Sequence, residues 1–419
     1  MRIGIYINQG ATTGGGFYEA VNAAKSFNSK KLDVCYFSSN YESINFLKKQ
    51  NINVKFIPVN NLDRICLFLR RILLIGAANA MPGNIIPVRI VKKFIPKFNR
   101  FEKYFKKSNI DLIYFTSPDA NCIHIENLNY VITVWDLAHN TIPFFPELRA
   151  NNCFESREIF YRNVLSKSYA IVVGHFVTKD LLINNYNQCP SKIFNIPFRP
   201  SLKLIEFEKK NKKDNFNKLE KIGRLPNKYL FHPGQYAAHK NHRILIESIH
   251  FLKNNGKKDF GLVLAGKDSG NLDYLRKLVH FLGLEKEVIF LPFLSDEEIY
   301  MIFKNSFALA MPSFIGPANL PPMEAMYIKI PLLIPDFDVN KKFYKNSCIY
   351  YENGSAESLA KKIIELDNFQ IDRNQITDLA TKRYQEIMLN SQSKEFLDYL
   401  QRFSNILNSY NDSLLLQDI

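Results

Sequence analysis

Tryptophan occurs once in the 419 residues, and glycine only 17 times, about 4% against a typical ~7%. So little glycine excludes collagen-like and glycine-rich low-complexity chains, and it makes the run Gly14-Gly15-Gly16 stand out. The six cysteines (Cys35, Cys66, Cys122, Cys153, Cys189 and Cys348) lie far apart with no C-x-x-C, which fits neither a zinc site nor a dense disulfide framework. A reducing cytoplasm is the expected home. Long apolar runs are missing as well. The most apolar stretch, Ile65 to Met81, is interrupted by Arg70 and Arg71 and is too short and too charged to span a bilayer, so no transmembrane segment is expected. The chain opens on the strand-like Ile3-Gly4-Ile5-Tyr6-Ile7, without the basic, apolar and small-residue succession of a signal peptide. Acidic residues are under-represented too: 40 Asp and Glu against 55 Lys and Arg leave a net charge of +15. Residues 1 to 200 hold 25 basic and 13 acidic side chains, so +12 of that excess lies in the first half. Such a balance favours an anionic partner such as a phosphorylated ligand, nucleic acid or anionic lipid.

What remains is ordinary for a folded protein, with 46% hydrophobic and 23% charged residues, and the length suits two or three domains. Short β-rich apolar runs alternate with amphipathic segments of helical length, the pattern of parallel strands joined by crossover helices. Strands are expected at 3–8, 32–37, 54–59, 112–116, 131–135 and 170–174, then at 229–232, 261–265, 288–291, 308–311, 332–334 and 349–351. The expected class is α/β. Each half reads as its own doubly wound, Rossmann-like sheet, with residues 1–200 as the first domain, 201–227 as a linker and 228–390 as the second domain. Residues 391–419 form a helical tail whose apolar Phe396, Leu397, Leu400 and Phe403 require it to dock on something. Open α/β sheets bind ligands at the carboxyl ends of their strands, so two such edges facing across a cleft put the chemistry in the strand-exit loops.

Three of those loops stand out. The first strand exits into Asn8-Gln9-Gly10-Ala11-Thr12-Thr13-Gly14-Gly15-Gly16-Phe17, where amides without a Cβ in the way can approach a phosphate at a helix N-terminus. The plainer reading is a surface turn, and the spacing is not the dinucleotide G-x-G-x-x-G. The strand at 229–232 exits into Pro233-Gly234-Gln235-Tyr236-Ala237-Ala238-His239-Lys240-Asn241-His242. Lys240, held where loop meets helix, suits a diphosphate leaving group; the plainer reading is a solvated surface lysine. The strand at 308–311 leads through Gly316-Pro317-Ala318-Asn319-Leu320-Pro321-Pro322-Met323-Glu324, a proline-started helix with an acid expected inside its first turn. Its amides suit a phosphate, and Glu324 suits ribose hydroxyls or, more plainly, capping.

Taken in this order and spacing, the Gly-rich loop, His239-Lys240-Asn241-His242, Leu264-Ala265-Gly266 and Asn319 to Met326 resemble the glycosyltransferases of the GT-B fold, in particular family 4. The resemblance spans the ordered chain. It implies a retaining enzyme of bacterial surface-polysaccharide type, with a nucleotide-diphosphate sugar as co-substrate and no metal or other cofactor. It implies donor binding by Gly15, Gly16, Gln235, Lys240, Gly316, Asn319, Leu320, Pro321 and Glu324. Gln235 stands where the family commonly has Arg, and Gly316 where it commonly has a second Glu. The stretch Val131 to His139 resembles the family's strand running into a His-Asp turn, with Trp135 in place of the His. Asp136 and His139 are therefore expected, with Lys240, in the catalytic set, or else as caps of the turn. His175 stands where the family often has Ser and is an acceptor-side candidate. His232, His239 and His242 together could suggest a metal cluster, but the resemblance requires none.

The basic excess also has an address. Residues 86 to 107 carry Arg89, Lys92, Lys93, Lys97, Arg100, Lys103, Lys106 and Lys107 against Glu102 alone, while Phe94, Phe98, Phe101 and Phe105 recur at helical spacing. One reading is a core-packed helix starting at Pro96 with a solvated face. The other is a peripheral surface for anionic membrane, running over residues 65–107 and suiting a lipid-linked acceptor. The expected function is transfer of a hexose, such as mannose, to a hydroxyl of a glycan or lipid-linked acceptor in surface polysaccharide (lipopolysaccharide or capsule) synthesis. The alternatives are a nucleotide-sugar epimerase of the same fold and a basic nucleic-acid-binding protein. Nucleic acid is disfavoured because the Phe residues segregate from the cations by helical period instead of interleaving with them.

Overall fold

The computed structural model describes residues 1–10, 15–26, 32–49, 51–58, 65, 100–210, 225–292, 294–315 and 319–407. The chain divides into two compact units. Met1–Leu137, Asn152–Ile196 and Gln392–Ile419 make the first, and Ala138–Asn151 with Pro197–Ser391 the second.

The first unit is a seven-stranded sheet of β1 (Arg2–Tyr6), β2 (Asp33–Ser38), β3 (Val54–Phe56), β4 (Leu112–Phe115), β5 (Asn129–Val134), β6 (Ala170–Val173) and β7 (Ile193–Asn195). Its order is β3-β2-β1-β4-β5-β6-β7, with every pair parallel. Strands such as Leu112-Ile113-Tyr114-Phe115 are buried along their whole length because helices cover both faces, hence their continuous apolar character. Six of these strands stand where the apolar runs predict them; β7 is not predicted, because Ile193-Phe194-Asn195 is too short to show a period.

The second sheet contains β8 (Lys228–Pro233), β9 (Phe260–Ala265), β10 (Val288–Leu291), β11 (Ala308–Ala310), β12 (Leu332–Pro335) and β13 (Ile349–Tyr351), in the order β10-β9-β8-β11-β12-β13. In each sheet the winding reverses beside the first strand, between β1 and β4 and between β8 and β11. At such a switch point the two exit loops diverge and leave a crevice at the strand ends.

The C-terminal helix Ser393–Leu407 docks on the first unit. Phe396, Leu400 and Phe403 are buried in the same cluster as Ile3, Ile5 and Phe194. Gln392 opens this docking by exchanging two hydrogen bonds with Asn195, donating from its N at 3.0 Å and accepting at Oε1 at 2.8 Å.

One expectation changes. The stretch 201–227 begins as a helix, Leu202–Lys209, capped by the Ser201 hydroxyl. Leu204 is buried, and Glu208 accepts from Tyr300 at 2.7 Å and Lys304 at 2.8 Å, so this helix packs instead of linking freely. Residues 211–224 lie outside the described residues. In the basic segment, Phe101 and Phe105 of the helix Arg100–Lys106 pack edge-on to Tyr6 in the core, 5.3 and 6.1 Å between centroids. Glu102 is buried beside them and accepts from the N–H groups of Glu126, Asn127 and Leu128, which is why one acid sits among the cations. Lys103, Lys106 and Lys107 are exposed. The rest of the expected membrane surface, residues 66–99, lies outside the described residues, as does Cys66. The other five cysteines are free thiols. Among the described residues no helix is long and apolar enough to cross a membrane.

Candidate functional site

The loop leaving β8 is built around a close backbone approach. A Cβ on Gly266, at the end of β9, would fall 2.0 Å from the Gly234 carbonyl oxygen, so glycine alone lets the β8 and β9 exits run side by side. Gly234 N donates to Ala265 O at 2.9 Å and Tyr236 N to Lys267 O at 2.9 Å. The Tyr236 ring is buried beneath, its hydroxyl between the carbonyls of Leu264 and Leu291. A 3-10 turn, Ala238–Lys240, follows, and Asn241 closes it in the left-handed region (φ 55°) before the helix His242–Asn254. Asn is among the few side chains that adopt this conformation cheaply. Gln235 is exposed on this loop and Lys240 half-buried.

The exit of β11 meets this loop within the second unit. Lys240 Nζ lies 3.5 Å from Asn319 Oδ1, Asn319 Nδ2 donates to Ile315 O at 3.1 Å, and Phe314 N donates to His239 O at 3.0 Å. Asn319 starts the helix Leu320–Ile328 without capping it by its side chain. Pro321 and Pro322 carry no N–H, so of the first three helical positions only Leu320 offers an amide to an anion. Gly316 lies outside the described residues.

Glu324 differs from expectation. It is the fifth helical residue, beyond the first turn, so it does not cap this helix. It is buried, and its Oε1 accepts from Ser201 N at 3.2 Å. Burial pushes its pKa up to about 7, against a partial lowering by the Ser201 bonds. Because the folded value exceeds the unfolded 4.5, the native state binds the extra proton. The group's contribution to stability is therefore complete below pH 4.5 and is lost as pH rises through about 7. Wild type should lose stability relative to Glu324→Gln across that window and run parallel to it above. Urea unfolding at pH 4.5, 6, 7 and 8 checks this, and a pH-independent difference would contradict it.

The three histidines of this loop part company. His232 is fully buried with Nδ1 2.8 Å from Ala310 O, and burial lowers its pKa to about 4. His242 packs edge-on against it at 4.7 Å, and burial holds its pKa well below the ordinary value. His239 points elsewhere, to Glu147. The Lys240 charge thus acts on two imidazoles that burial keeps neutral. Among the described residues no group of three His, Cys, Asp or Glu is placed to hold a metal.

In the first unit, the helix Gly15–Ser26 follows β1, and a Cβ on Gly16 would fall 2.6 Å from the Trp135 ring. The indole at the end of β5 is thus a packing reason for glycine there. Gly14 lies outside the described residues. Asp136 is engaged by Arg157, whose Nη2 donates at 2.6 Å to Oδ1 and at 3.0 Å to the carbonyl oxygen. His139, three residues on, is buried in the turn Ala138–Thr141 of the second unit, so the structure assigns these two to different units. His175 caps the helix Phe176–Tyr186, its Nδ1 accepting from Val177 N at 3.0 Å. Burial lowers its pKa to about 3, so it stays neutral and available as a cap.

Residues 212–383 match the family of glycosyl transferases group 1. That segment contains the β8 loop, Lys240, Asn319 and Glu324. The serotype-specific mannosyltransferase WbdA of Escherichia coli is 30% identical over 133 residues, covering 32% of this chain and 16% of that protein. The O-antigen chain mannosyltransferase RfbU of Salmonella typhimurium is 26% identical over 223 residues, covering 50% of this chain and 56% of that protein. The chain thus spans a sixth to just over half of these curated relatives. A glycosyltransferase from Rickettsia africae superposes with a TM-score of 0.62 at 18% identity, over 100% of this chain and 99% of that one. Anabaena HepE in complex with UDP-glucose gives 0.65 at 15% identity, over 98% and 100%. The fold is the GT-B fold of two Rossmann-like parallel-sheet units, with a C-terminal helix.

Glu147 and Phe145, which touch the loops of the site, and Ser201, which touches Glu324, are not marked by the sequence pattern. The only local sign was the Phe-Pro-Glu run, a helix start with an acid behind its proline.

Proposed function

We propose that this protein is a glycosyltransferase that moves a hexose, such as mannose, from a nucleotide-diphosphate sugar to a hydroxyl of a glycan or lipid-linked acceptor in surface-polysaccharide synthesis, with retention at the anomeric carbon. The observation that carries the reading is the meeting, at the β8/β11 switch point, of Lys240 with Asn319 at the start of the helix Leu320–Ile328, inside the segment matching group 1 glycosyl transferases. Mannose is suggested by the WbdA and RfbU likenesses, and a uridine nucleotide by HepE.

In this reading the acceptor hydroxyl attacks on the face from which the diphosphate departs, and a phosphate oxygen takes its proton. Lys240 and the amide of Leu320 meet the charge that grows on the leaving group, and the glycines at 15 and 16 let backbone approach the donor. Gln235 contributes a neutral contact, and Glu324 the ribose hydroxyls. Asp136 and His139 serve the transferred sugar, and His175 the acceptor side through its loop. A fixed cation does the work here, so no metal is required.

Thermal shift with GDP, UDP, ADP and CMP and their sugars tests this. The cognate ligand at ~100 times its Kd should add about 2.7 kcal/mol of stability, and transfer should survive EDTA. No response to any nucleotide would sink the proposal. We further place the enzyme in the cytoplasm, at the inner face of the membrane through residues 65–107. Each Lys or Arg near an anionic surface contributes about 1 kcal/mol. Sedimentation with anionic but not neutral vesicles is expected, and equal behaviour with both would remove the membrane part alone.

A further inference from the structure

The peptide of His239, the residue before Lys240, is held on three sides. Glu147 Oε1 accepts from its backbone N at 2.8 Å and from its ring Nδ1, while its carbonyl accepts from Phe314 N at 3.0 Å. Phe145 closes the arrangement, its ring centroid 5.3 Å from Phe314 and 6.4 Å from His239. Glu147 is itself firmly presented, by a short helix that Pro146 starts and the buried Leu148 anchors. Although burial opposes its charge, the hydrogen bonds from His239 prevail and hold the carboxyl below its ordinary pKa, so it is ionised at neutral pH.

We infer that Glu147 is a positioning residue for Lys240: by fixing His239 it sets where the ammonium group stands relative to Asn319 and the start of the helix Leu320–Ile328. The inference rests on the donor-site reading above. It adds to that reading a segment, Ala138–Asn151, that follows β5 in the sequence and belongs to the second unit. The physical reason is leverage. With residue 239 fixed at N, ring and carbonyl, the next Cα has little freedom, and a misplacement of about 1 Å at a charge-stabilising group costs roughly 10²-fold in rate.

The test is a cycle of Glu147→Ala, Lys240→Ala and the double variant, read as kcat and KM for the donor, with Glu147→Gln as the near-isosteric control that folds if alanine does not. Glu147→Ala should lower kcat about 10-fold or more, with donor KM moving less. Glu147→Gln, which keeps an acceptor oxygen for the His239 N–H, should recover part of it. In the Lys240→Ala background the Glu147 substitution should have almost no further effect on kcat, since there is no ammonium left to place. Full additivity in the cycle, or wild-type kcat in both Glu147 variants, would overturn the inference while leaving the donor site standing. No transfer by wild type with any donor would strike the donor-site reading, and this inference with it.

Discussion

Lys240→Ala is expected to lower kcat by roughly 10²–10³, the usual cost of removing one preorganised donor from a developing negative charge. The lysine is suited to that work by its surroundings. It ends a 3-10 turn whose own N–H is fixed, Lys240 N donating to Ala237 O at 3.1 Å. Its Nζ lies 3.5 Å from Asn319 Oδ1, and the two imidazoles its charge acts on, His232 and His242, are kept neutral by burial. Steady-state kinetics with the cognate donor, on a variant whose circular dichroism matches wild type, is the measurement. Lys240→Arg should recover only part of the loss, because a planar fork does not stand where a compact ammonium stood. Near-normal turnover in the alanine variant would exclude the role.

The second large effect is expected from a single methyl group at Gly266. In Gly266→Ala the added Cβ meets main chain, the Gly234 oxygen at 2.0 Å and carbon at 2.6 Å, and main chain cannot swing aside as a side chain can. The β8 and β9 exits must separate, which strains the Gly234 N to Ala265 O bond and the burial of Tyr236. Overpacking of this kind costs about 1–3 kcal/mol. Because the displaced loop carries Lys240, activity should fall by roughly 10² as well. Calorimetry and kinetics on the same preparation check both halves. A Gly266→Ala protein with wild-type melting temperature and kcat would mean that the loop relaxes without cost.

Much of this architecture is legible in the sequence, because its signals are local. A strand buried on both faces must be apolar throughout, as Phe260 to Ala265 is, and a helix with one buried face must repeat its apolar residues every three or four positions, as Phe396, Leu400 and Phe403 do. The glycines and prolines of the exit loops are local too, since backbone conformation is decided within a few residues. β7 escaped because three residues carry no period.

The sequence by itself determined the alternation of strands and helices, the two sheets, and the loops in which Lys240, Asn319 and Glu324 stand. Only the tertiary structure decided who meets whom. Glu324 takes its hydrogen bond from Ser201, 123 residues away in the chain, and Glu147 takes two from His239, 92 residues away. Ala138–Asn151 belongs to the second unit though its chain neighbours belong to the first, and the C-terminal helix returns to β7. Glu102 is buried because three backbone N–H groups 24 to 26 residues onward converge on it, which no count of neighbouring charges reveals. The reason is the same in each case: periodicity and turn chemistry act over a few residues, whereas the desolvation of a carboxylate is offset only by donors that chain closure brings to it.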